Sequence, residues 1–112
     1  MAGGAQLYVT DMRRAARHPV DFRVFGEHRL LGDILLHIVN VSATGFMVEG
    51  ETGLGKGERV TVRLPALGRI EAFMIWGSEA RAGFQFERII RLDDFARLIE
   101  AMQPNPKLRR KA

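Results

Sequence analysis

Apolar and polar positions alternate along most of this chain. Just after Pro19, the apolar Val20, Phe22 and Val24 are separated by the polar Asp21 and Arg23, the period of a half-buried strand. The run ILLHIVNVS (34–42) is rich in β-formers. It is bounded by Gly32-Asp33 before and by the polar turn Ser-Ala-Thr-Gly after, which predicts a long strand. FMVEG (46–50) reads as its short partner, and GLGKGE (53–58) as a glycine-rich turn with Lys56 at its tip. Val60, Val62 and Leu64 alternate with Thr61 and Arg63 until Pro65 stops the pattern. RIEAFMIWGSE (69–79) and RAGFQFERI (81–89) bring the strands to six, with Phe84 and Phe86 on one face. The period then changes. Phe95, Leu98, Ile99 and Met102 recur at i, i+3, i+4 and i+7, predicting an amphipathic helix with Asp93 as its N-cap and Pro104 and Pro106 beyond its end. The whole predicts a mostly β protein: a small antiparallel barrel or sandwich, with one C-terminal helix laid across a mouth or a side.

Composition sharpens this picture in three places. At 112 residues the chain is expected to be one domain, able to bury a core without staples. It has no cysteine, which excludes disulfides and thiolate metal sites and makes a reducing cytoplasm the expected compartment. The start lacks the apolar region of a signal peptide, and no stretch approaches membrane-spanning length. The net charge of +4 suggests nucleic acid until it is counted by segment. The tail PNPKLRRKA holds Lys107, Arg109, Arg110 and Lys111 with no acid, leaving 13 basic against 13 acidic residues in 1–103. The tail (104–112) reads as a disordered end or, if functional, as a contact for an acidic partner, anionic lipid or nucleic acid. Residues 1–11 have no period and read as a flexible leader, leaving 12–103 as the domain.

Two short stretches carry candidate chemistry. Arg13 and Arg17 stand four apart, with Arg14 and His18 beside them. This is either a solvated basic turn or a phosphate clamp, in which two planar guanidinium forks reach phosphate oxygens from one side of a helical turn. The second stretch is NVSATG (40–45). Asn40 and Ser42, two apart, are expected on one strand face with Val39 and Val41 on the other, beside a glycine whose backbone can be approached closely. An amide and a hydroxyl so placed can bond a base edge or a phosphate, but an anion would need arginines from elsewhere. Taken alone, the stretch is equally a strand end closing in a polar turn.

RxxxR followed by (Asp/Asn)xSxxG, leading into a barrel with a C-terminal helix, resembles the PilZ domain family, bacterial receptors for the second messenger cyclic di-GMP. The resemblance covers about residues 12–103. It implies a six-stranded antiparallel PilZ-type β-barrel, with Arg13 and Arg17 on the first motif and Asn40, Ser42 and Gly45 on the second. Arg14 stands beside the first pair. MIWGSEARAGFQF is similar to the family's late strands, which makes Trp76 a candidate purine contact, the other reading being a core position. Asn40 stands where Asp is commoner, exchanging an acceptor-only carboxylate for an amide that also donates. Thr44 stands where a second glycine is frequent. Met12, before the first arginine, occupies a position that in such families helps decide whether one nucleotide or a stacked pair binds.

Other chemistry finds no support in the residues. His18, His28 and His37 lack metal-ligand spacing, no G-x-S-x-G surrounds Ser42 or Ser78, and GLGKGE fails the P-loop spacing. No catalytic residue, metal or cofactor is expected. The expected function is a non-enzymatic cyclic di-GMP receptor relaying to a protein partner. Asn40, Ser42 and Gly45 would form its fixed wall, and Arg13 and Arg17 would close over the ligand from the leader. The rivals are a PilZ-fold adaptor with little nucleotide binding, and a small barrel binding single-stranded nucleic acid. The latter needs aromatics exposed on a basic face, and most of the nine aromatics here fall on positions read as inward.

Overall fold

The computed structural model describes residues 16–102. The leader with Met12, Arg13 and Arg14, and the tail with Pro104 and Pro106, lie outside the described residues. Six strands, β1 (His18–His28), β2 (Gly32–Val41), β3 (Gly45–Glu49), β4 (Arg59–Leu64), β5 (Gly68–Gly77) and β6 (Arg81–Phe86), precede one helix, α1 (Leu92–Met102). All neighbours are antiparallel, and the strands close into a barrel in the order β1-β2-β3-β6-β5-β4. Of the two expected architectures, the barrel is the one observed. Closure removes the free sheet edges that a six-stranded open sheet would leave.

Alternation sorts the faces as expected. Ile38, Val41, Phe46, Val48, Val60, Val62, Leu64, Phe84 and Phe86 point inward and are fully buried. Phe46 lies nearly parallel to Phe84, centroids 5.0 Å apart, and tilts against Phe86 at 5.5 Å. The seam between β1 and β4 is short, pairing only Gly26 with Val62 and Glu27 with Thr61. α1 packs beside β1, burying Leu98 and Met102 in the core, while Phe95 meets His18 edge-on at 5.3 Å. Among the described residues, no helix is long and apolar enough to cross a membrane.

Two expectations need correction. β1 begins at His18, before Pro19, and runs to His28. Asp93 is not the N-cap. The Phe95 N–H donates to the Arg91 carbonyl at 2.8 Å, so the first helical bond closes on Arg91, and Asp93 lies inside the first turn with its carboxylate accepting from the Asp94 N–H. Phe25 stands outward on β1 at 59% exposure, whereas Phe46, Phe84 and Phe86 are buried and Phe22 and Phe95 pack against the core.

The histidines have structural partners. His28 is buried at the β1–β2 hairpin. Its Nδ1 accepts the Leu30 and Leu31 N–H groups, and Nε2 therefore carries the proton it shares with Glu58 Oε1 at 2.8 Å. His37 Nε2 bonds Asp21 at 2.7 Å.

Candidate functional site

The end of β2 is irregular, and the irregularity sets which side chains face out. Ile38 pairs with Val48 and Asn40 with Met47, so Val39 is an extra residue in β2. This bulge lets Ile38 and Val41 both enter the core and turns Asn40 outward. Val39 and Val41 therefore do not share a face, contrary to the simple period. Strict alternation also fails to relate Asn40 to Ser42, because the strand ends at Val41.

Ser42 and Gly45 build the turn. The Ser42 N–H donates to the Gly45 carbonyl at 2.8 Å, and Ser42 Oγ accepts the Thr44 N–H at 3.2 Å and bonds Thr44 Oγ1 at 2.9 Å. With these partners the Ser42 hydroxyl tolerates burial; the residue is 3% exposed. The Ala43 and Thr44 carbonyls accept the Ile90 and Phe86 N–H groups, pinning the turn to β6 and its continuation. A Cβ on Gly45 would lie 2.0 Å from the Phe84 carbonyl oxygen. The close approach that this glycine permits is made by β6.

Asn40 is the outward member of the second motif, and the first motif meets it. Arg17 Nη1 donates to Asn40 Oδ1 at 2.9 Å. Because guanidinium only donates, the amide oxygen must face Arg17, and Nδ2 turns toward the Met47 sulfur at 3.9 Å. Pro19, Asn40, Met47, Gly83 and Trp76 are consecutive Cα partners across β1, β2, β3, β6 and β5. One lateral row thus carries the amide, the thioether and the indole across the outer face. A second bulge at Ile75 separates the Met74–Phe84 pair from the Trp76–Gly83 pair, keeping Met74 inward while Ile75 and Trp76 stand out.

Trp76 is not a core residue: it is 39% exposed on the barrel's outside. Its indole lies down over Gly83, where a Cβ would fall 2.0 Å from Nε1. A small depression between Arg17 and Trp76 is lined by Ser42, Gly45 and Gln85. The structure therefore brings together Arg17, Asn40, Ser42, Gly45 and Trp76, while Arg13 and Arg14 fall outside the described residues. Sequence reading missed Met47 and Gly83. Met47 carried a usable signal, since it alternates with the buried Phe46 and Val48 and so is an apolar side chain on the polar face. Among the described residues, no group of three histidine, acidic or cysteine side chains could hold a metal ion.

The barrel with its C-terminal helix, and a motif turn facing an arginine, define a class of small β-barrel binding domain. The family model for the PilZ domain matches residues 11–102, and the chain belongs to the PilZ domain family, a family of cyclic di-GMP receptors. A search of curated proteins finds no match to the chain.

Proposed function

We propose that this protein binds cyclic di-GMP on the outer face of its barrel and relays that binding to a protein partner without catalysing a reaction. The observation that carries this reading is the 2.9 Å bond from Arg17 to Asn40, which joins the two motifs across 23 residues of sequence. Arg17 spends one of five donors there, and the rest are free for phosphate oxygens. Arg13, four residues earlier, supplies the second fork, with Arg14 beside it. Ser42 and Gly45 hold the wall against which Asn40 is presented, and the flat-lying indole of Trp76 offers a face to a guanine. The cysteine-free composition suits the reducing cytoplasm where such a receptor would work.

Calorimetric titration with cyclic di-GMP tests the reading, with GTP and a short oligonucleotide as controls. Arg17→Ala should weaken binding by about ten- to 150-fold, the equivalent of one charge-assisted hydrogen bond, with the apo melting temperature nearly unchanged. Equal affinity in variant and wild type would remove Arg17 from the site. A second reading, an adaptor with little nucleotide affinity, is favoured by the exposed Phe25, Leu30, Leu31 and Leu35 of the β1–β2 hairpin. Absence of cyclic di-GMP binding in the same titration would select it.

A further inference from the structure

The outer face of the β1–β2 hairpin carries an apolar pair that the described residues leave open. Phe25 on β1 and Leu35 on β2 are Cα partners, and both point outward, 59% and 58% exposed. The residues after them, Gly26 and Leu36, are buried, so alternation leaves Phe25 and Leu35 no place in the core. Leu30 and Leu31, in the turn of the same hairpin, are exposed as well. Large apolar side chains gathered in this way mark a contact surface, where single exposed leucines would not.

Most charges around this pair are matched within the chain. Glu27, two residues after Phe25, holds Arg69 of β5 at 3.1 Å. Asp21 holds Arg23 at 3.5 Å and His37 at 2.7 Å. Two exposed groups on the face are left over. Among the described residues, neither Asp33 on β2 nor Arg63 on β4 has an ion pair or a side-chain hydrogen bond; Arg29 has none either, but it sits in the hairpin turn. Asp33 and Arg63 lie on opposite sides of β1. Asp33 pairs with Glu27, and Glu27 pairs with Thr61, two residues before Arg63 and on the same face. Their strands are thus two spacings apart, roughly 10 Å. Both groups border a depression of about 370 Å³ beside Phe25.

We propose that a second copy of the chain docks on this face, about a two-fold axis. A two-fold contact sets a patch against itself, so each group on it must find its complement on the same patch. This patch meets that demand. An axis lying in the interface and passing over β1 between Phe25 and Glu27 turns Asp33 of one copy toward Arg63 of the other, twice over. The two Phe25 rings then meet at the centre. The leftover acid and the leftover base become two equivalent ion pairs flanking an apolar middle, the layout of an interface core and its polar rim. An anionic lipid surface fits less well, because Asp33 and Glu27 would face it. The inference is independent of the cyclic di-GMP reading, and the pair leaves that site open. The row that starts at Asn40 runs through β3 and β6 to β5, around the other side of the barrel from β1.

Sedimentation equilibrium of the full chain over a concentration series tests this, with thermal melting to confirm that each variant is folded. Wild type should be a dimer. Asp33→Arg sets an arginine against Arg63, and Arg63→Asp sets an aspartate against Asp33. Each variant alone should therefore dimerise at least about tenfold more weakly. An equimolar mixture of the two variants should dimerise as wild type does, because both contacts again join opposite charges. A monomeric wild type would overturn the proposal and leave the patch to a partner of different sequence. Dimers that persist in both variants, or variants that stay monomeric when mixed, would overturn it as well.

Discussion

At the scale of single residues, the motif NVSATG divides its labour in a way that spacing alone does not reveal. Ser42 and Gly45 satisfy demands of the fold, whereas Asn40 faces outward to a partner. Ser42→Ala leaves the Thr44 N–H without its side-chain acceptor in a buried turn, and we expect a loss of roughly 1–3 kcal/mol. Ser78→Ala, in the exposed β5–β6 turn where water substitutes, should cost less, and urea unfolding of both variants gives the order. Gly83 serves the site without touching a ligand. A methyl there occupies the place of the Trp76 Nε1, so Gly83→Ala should lift the indole from its seat. Trp76 is the sole tryptophan, and its emission reports this directly: a shifted spectrum in the apo variant and a weakened response to cyclic di-GMP are expected. An unchanged spectrum would mean that the indole does not rest on Gly83. The seat could not be read from the sequence, because the bulge at Ile75 decides which residue of β5 stands beside Gly83.

At the scale of elements, alternation placed all six strands and the 3.6-residue period placed the helix. The boundaries shifted where a backbone bond outranked a propensity. Asp93 has the right side chain for an N-cap, but the Arg91 carbonyl takes the first helical bond. The β4–β5 turn holds a different local compromise. Ala66 has φ 69°, a left-handed conformation that costs an L-residue about 1–2 kcal/mol. Ala66→Gly relieves that strain at the cost of a more flexible unfolded chain, and we expect a net gain of roughly 0.5–1 kcal/mol. Calorimetry should show a melting temperature a few degrees higher, and a lower one would mean that the methyl makes a packing contribution outweighing the strain.

At the scale of the whole molecule, closure is supported by charge as well as by the core. Arg59 on β4 bonds Glu71 on β5 at 3.2 Å and also Glu87, just beyond β6, linking three successive staves. The hydrogen bond from Arg59 and then its positive charge hold the Glu87 carboxyl below its ordinary value, and Arg59 is raised in turn. For a carboxyl lowered by folding, the stabilisation is present above the ordinary carboxylate pKa and is lost as pH falls through the lowered one. Glu87→Gln should therefore lower the melting temperature slightly at neutral pH, less so in high salt because the pair is exposed, and should match wild type in acid. Melting curves at both pH values check this, and a difference that persists in acid would assign the effect to packing.

By itself the sequence determined the barrel class, the helix and the pairing of an arginine motif with a polar turn. Alternation, turn residues and side-chain chemistry are local properties, expressed wherever a core exists to receive the apolar face. Only the tertiary structure decided which residues stand together outside. Val39 and Ile75 are extra residues in their strands, and neither looks unusual in sequence, yet each resets the parity of the residues after it. A bulge depends on what the neighbouring strand offers to pair with. The row from Asn40 through Met47 and Gly83 to Trp76 is therefore a product of strand register, and that register is settled only when the barrel closes.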